Sequence, residues 1–85
     1  FIIAMDEEKK ILLKSLGDNI CRIRKAKGLT QVELASMVNK DQQSIQRLEK
    51  GNINPSFYYL NEISKGLEID LKELLDFSEE KKKAK

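Results

Sequence analysis

The stretch LTQVELASMVNKDQQSIQRLEKG, Leu29 to Gly51, decides the fold. Thr30 and Glu33 form a T-x-x-E pair, in which hydroxyl and carboxylate each satisfy a backbone N–H at the start of a helix. Leu34 and Val38 then recur at helical spacing and mark a buried side. Asn39 follows, and asparagine is the residue besides glycine that best tolerates a left-handed turn. Asp41 caps a second helix that turns Ile45 and Leu48 inward and stops at Gly51. Two short helices joined by so brief a turn must cross steeply, and Ala35 is the small residue where their backbones are expected to approach. The pattern is that of a helix-turn-helix.

The second helix can be read by face. At about 100° per residue, Ile45 and Leu48 point to the core. Gln43, Gln46, Arg47 and Lys50 then lie opposite, with Gln42 exposed at the amino end. A glutamine amide carries a donor beside an acceptor, matching N6 and N7 of adenine in the major groove, while arginine pairs with guanine or a phosphate. Gln42, Gln43, Gln46 and Arg47 are therefore expected to read bases, and Lys40 and Lys50 to meet phosphates. On this reading Gln42 and Gln43 need no partner inside the protein. The plainer alternative makes them ordinary solvated helix formers. Glu49 falls beside the inward face, where a carboxylate needs a cation, and Arg24, on the chain's first helix, is the expected partner.

Outside this unit the chain reads as helices throughout. The first helix is expected from Asp6 or Glu7 to just before Gly28, with Leu12, Leu16, Ile20 and Ile23 as its stripe and Gly17 as a weak point. Asn54-Pro55 is expected to supply cap and first-turn proline for a fourth helix with Phe57, Leu60, Ile63 and Leu67 inward. Asp70 opens a short fifth helix carrying Leu71, Leu74 and Leu75. The fold class is all-α, five helices. Residues 15–77 are expected to form the domain, 1–14 an N-terminal extension or the start of helix one, and 78–85 a charged tail whose Lys81–Lys85 end is expected to be disordered. With the first methionine at position 5, residues 1–4 read as non-native or as an upstream extension.

The bulk numbers agree. Eighty-five residues, 35% charged and 40% apolar, suit one soluble domain with one core. The longest apolar run, Phe1–Met5, is too short to cross a bilayer or to form a signal-peptide core. Cys21 stands alone, which excludes an intrachain disulfide and points to a reducing cytoplasm. Net charge is only +2, but Arg22–Lys50 holds seven cations against three anions between near-neutral flanks, a modest footprint for a polyanion.

With these residues in place, Leu16 to Phe77 resembles the lambda-repressor-like, Cro-type helix-turn-helix family, also called the xenobiotic-response-element family. The matching residues are Arg24-x-x-x-Gly28-Leu29-Thr30-Gln31-x-x-Leu34-Ala35, then Ile45-x-x-x-Glu49-x-Gly51, Pro55-Ser56 and Leu60-x-x-Ile63. The resemblance implies a third helix in the major groove of double-stranded DNA and a homodimer on a palindromic operator. It also implies that Gln31 bonds a phosphate while bracing Gln42, that amides near Ser56 and Phe57 hold another phosphate, and that Arg24 and Glu49 form an internal ion pair. Asn39 replaces the family's usual turn glycine, and Ser64 and Gly66 stand where alanines are usual, which loosens the fourth helix.

Enzymatic activity is not expected. The chain has no histidine and no glycine-rich phosphate loop, and Cys21 has no base or metal-ligand partner, so no catalytic residue, metal or cofactor is assigned. The expected function is a DNA-binding transcriptional regulator, a repressor by preference. The rival is an antitoxin or anti-regulator whose main partner is another protein, using Phe1–Met5 with Ile11 and Leu13; fold alone does not separate the two. Tyr58, Tyr59 and Phe77 are the aromatic candidates for a subunit contact.

Overall fold

The computed structural model describes residues 2–77, with side chains from residue 6 onward. The charged tail and the Phe1–Met5 side chains lie outside the described residues. Helix α1 spans Ile2–Ala26, α2 Gln31–Met37, α3 Gln42–Lys50, α4 Phe57–Leu67 and α5 Leu71–Leu74. Among the described residues all regular structure is helical, as the five-helix expectation holds. The core joins Leu16, Ile20 and Ile23 of α1 to Leu34, Ile45, Leu48, Leu60, Ile63, Leu67 and Leu74. Ile20, Ile45 and Ile63 are wholly buried, and each such side chain contributes about 1.5–3 kcal/mol.

The helix-turn-helix forms as its residues dictate. Thr30 Oγ1 accepts from the Glu33 amide at 3.0 Å, and Glu33 Oε1 accepts from the Thr30 amide at 2.8 Å. Asn39 adopts φ 59°, and the chain reverses there with the Lys40 amide donating to Ala35 O at 2.8 Å. Gly51 ends α3 in the same way, at φ 77°, with the Asn52 amide donating to Arg47 O at 2.9 Å. Both ends are the left-handed cap with a six-to-one hydrogen bond.

Helix α1 departs from expectation. It begins at Ile2 rather than near Asp6 and runs through Gly17 without a break, since residues 2–16 contain neither glycine nor proline and are mostly good helix formers. Gly17 is instead the point where α1 touches the end of α3. A Cβ there would lie 2.5 Å from Leu48 O and would also overlap Glu49 O, while one on Gly51 would lie 2.8 Å from Lys14 Cα. The two glycines let the backbones meet. Leu12, expected inward, is 57% exposed, because the core begins one turn later at Leu16.

Helix α4 starts later than the sequence suggested. Ser56, not Asn54, is the cap, its hydroxyl accepting from the Tyr59 amide at 3.0 Å. Phe57 thereby becomes the first helical residue and is 71% exposed rather than buried. Helical side chains lean toward the amino end, so a first-turn residue overhangs the helix start instead of the core. Leu75 likewise ends up exposed past the end of α5. Gly66 does not loosen α4; a Cβ there would meet Val38 Cγ1 at 2.6 Å, so it seats α4 against α2.

Glycine to alanine inside a helix ordinarily stabilises by up to ~1 kcal/mol. At Gly17 the sign should reverse. Gly17→Ala is expected to lower stability by about 1–3 kcal/mol through the clash with two α3 carbonyls, read as a fall in the urea midpoint.

Candidate nucleic-acid interface

Helix α3 has a hydrophobic edge and a polar one. Ile45 and Leu48 are buried, while Gln43, Arg47 and Lys50 are exposed and Gln42 and Gln46 half-buried. The outer face therefore carries amides and cations without a carboxylate, because Glu49 is turned inward and only 6% exposed. Asp41 stands at the helix start, its carboxylate accepting from the Ser44 amide at 2.9 Å.

Glu49 is held by Arg24. The guanidinium donates Nε to Oε2 at 2.6 Å and Nη2 to Oε1 at 3.0 Å, with Nη1 donating to Leu29 O at 2.7 Å. The hydrogen bond to Glu49 raises the Arg24 pKa above its ordinary value, against the opposing effect of burial. One bidentate contact thus ties α1, the α1–α2 loop and α3 together.

The network continues outward. Gln31 Nε2 donates to Glu49 Oε1 at 2.9 Å, and Gln42 Nε2 donates to Gln31 Oε1 at 2.7 Å. Gln42 therefore does have a partner inside the protein, contrary to the reading from its helical face alone. A wheel places residues around one helix and is blind to the start of α2, which lies alongside.

The other candidate residues are spread around this centre. Lys40 occupies the turn before α3, with Nζ 4.0 Å from Glu62 Oε1 and 5.1 Å from the centre of the Tyr59 ring. Ser56 and Phe57 stand beyond the far end of α3, with the Ser56 hydroxyl committed to its cap. Sequence reasoning missed Asn19. This buried side chain donates to Leu74 O at 2.7 Å and accepts from Arg22 Nη2 at 2.6 Å, so it closes the end of α5. Its signal was present: Asn19 lies three residues after Leu16, an inward spacing occupied by a polar residue.

Two short helices joined by a tight left-handed turn, a capped polar rod and a buried ion pair behind it define a helix-turn-helix domain. The chain belongs to the helix-turn-helix family, whose pattern matches residues 22–74, and it is a DNA-binding transcription regulator. The uncharacterized HTH-type transcriptional regulator y4dJ of Sinorhizobium fredii is 36% identical over 67 residues, 79% of this chain and 87% of that protein. The restriction-modification controller protein C.AhdI from Aeromonas hydrophila is similar in structure, with a TM-score of 0.71 and 31% identity over 73% of this chain and 94% of its own. The controller protein C.Esp1396I, solved as a tetramer in complex with its natural 35 base-pair operator, matches with a TM-score of 0.67 and 34% identity over 76% of this chain and 96% of its own.

Breaking the buried pair on one side strands a charge. Arg24→Met alone is expected to cost about 3–5 kcal/mol, whereas Arg24→Met with Glu49→Leu should stay close to wild type; urea unfolding of the three proteins decides it. A second test uses pH. The hydrogen bonds from Ser44 hold the Asp41 carboxyl below its ordinary value of 3.8. The stability this contributes is complete above that value and fades as pH falls through the lower folded-state value. Asp41→Asn keeps an acceptor at the cap but no titration, so unfolding measured between about pH 5 and pH 2 should show a shallower acid decline than wild type.

Proposed function

We infer that this regulator is a cytoplasmic homodimeric repressor that lays α3 of each subunit in successive major grooves of a palindromic operator. The observation that carries the reading is the outer face of α3, where Gln43, Arg47 and Lys50 are exposed and the one carboxylate within the helix, Glu49, is buried. In this arrangement Gln42, Gln43, Gln46 and Arg47 contact base edges, with glutamine suited to adenine and arginine to guanine. Gln31, Lys40, Lys50 and the amides at Ser56 and Phe57 contact phosphates and set the register. Lys40 exchanges its weak, half-exposed contact with Glu62 for a phosphate; pairs of that kind are worth at most ~1 kcal/mol. The operator-bound tetramer of C.Esp1396I supports assembly on DNA. Among the described residues no helix is long and apolar enough to cross a membrane.

The experiment is selection of bound duplexes from a random pool, followed by binding of variants to the recovered site. Gln43→Ala should cost about 1–3 kcal/mol of discrimination at one base pair per half-site while leaving affinity for random duplex unchanged. Lys50→Ala should weaken all duplexes alike and flatten the dependence of log affinity on log salt by about one per subunit. An affinity indifferent to salt, or Gln43→Ala with full discrimination, would overturn the assignment in favour of a protein partner.

A further inference from the structure

Tyr59 carries a hydroxyl that the fold does not use. Its ring leaves the first turn of α4 and packs against the core. Lys40 Nζ lies over that ring, 5.1 Å from its centre, and 4.0 Å from Glu62 Oε1. The phenol oxygen is buried without a hydrogen-bond partner, the only side-chain nitrogen or oxygen of that kind among the described residues. A buried polar group left unmet lowers stability. Phenylalanine would fill the same space and offer the same ring face to Lys40 without that loss. Packing therefore accounts for the ring and leaves the hydroxyl to be explained.

The hydroxyl is a donor in want of an acceptor. Burial raises its pKa, and the Asp41 and Glu62 carboxylates raise it further, so the proton stays on at neutral pH. Neither carboxylate lies within hydrogen-bond distance of it. Asp41 accepts instead from the Ser44 amide at 2.9 Å, and Glu62 stands beside Lys40. The group above the ring is movable, since the Lys40 side chain is 39% exposed on a flexible stem. We propose that Tyr59 is a second ligand of the DNA phosphate that Lys40 takes: Lys40 swings off the ring to that phosphate and uncovers the hydroxyl, and Tyr59 Oη donates to another oxygen of the same group. This rests on the assignment of Lys40 as a phosphate contact and adds a neutral donor beside the cation. A donor already stripped of water by folding gives up no hydration when the phosphate arrives. Its bond to an anionic oxygen is of the stronger, charge-assisted kind.

The test measures stability and binding on the same variants of the full chain, with the operator recovered from a random pool. Lys40→Ala comes first, and should weaken binding and flatten the dependence of log affinity on log salt by about one per subunit. Unchanged affinity and slope would sink the Lys40 assignment and this proposal with it. Tyr59→Phe should raise the urea midpoint, because the unmet hydroxyl is gone, and lower affinity for every duplex by about tenfold or more. Its salt slope should stay that of wild type, since no charge is removed. A methylphosphonate replacing each operator phosphate in turn locates the contact. At one phosphate the effects of Lys40→Ala and Tyr59→Phe should both shrink, and at the others both should persist. A Tyr59→Phe protein that binds operator as tightly as wild type, with Lys40→Ala weakened, would overturn the proposal and leave the Lys40 contact standing. So would a lower urea midpoint in Tyr59→Phe, which reveals a partner for the hydroxyl inside the fold, or an effect of Tyr59→Phe that maps to a phosphate other than that of Lys40.

Discussion

A carboxylate at the edge of a core needs a cation beside it, and the structure turns on how Glu49 is met by Arg24. Its position in α3 places it next to Leu48 at the edge of the core, within reach of Arg24 from α1. A buried pair of this kind is not by itself a source of stability, since desolvating two ions roughly offsets their attraction. What it supplies is register. With the Arg24 side chain bonded to Glu49 and to Leu29 O, α3 cannot slide or roll relative to α1 without stranding a charge, and the outer face of α3 keeps one orientation.

Backbone contact reinforces the same constraint. Gly17 and Gly51 bring α1 against the end of α3 closely enough that a methyl group on either would collide with main-chain atoms of the other segment. Leu34 and Ala35 of α2 and Val38 just after it share one buried cluster with Ile45 and Leu48, and the turn at Asn39 is closed by backbone hydrogen bonds. Interiors packed at this density do not deform continuously. A helix of nine residues, too short to be stable alone, is thus fixed between α1 and α2 and leaves Gln43, Arg47 and Lys50 exposed.

Much of this was legible in the sequence because it depends on local rules. The capping box at Thr30 and Glu33, the left-handed Asn39, the Asp41 cap and the inward Ile45 and Leu48 each follow from residue type and spacing. What failed did so where a second element decides. Gly17 looked like a defect because the α3 carbonyls that require it are more than thirty residues away in sequence. Phe57 looked like core by spacing, but Ser56 outcompeted Asn54 for the cap and left it on the overhang. A wheel sets Gln42 and Glu49, seven residues apart, within about 20° of each other on one edge of α3, but it could not show that Gln31, on another helix, joins them.

That junction explains why the link between core and surface is made of polar groups. An apolar side chain could pack behind Gln42 and restrain its position, but it would leave the two ends of the amide equivalent. A buried charge is different, since it accepts and never donates, and each amide placed against it inherits a direction. Two glutamines in series carry that direction from the protected Glu49 to the half-exposed Gln42. The same ion pair that aims α3 therefore also orients the amide at its head.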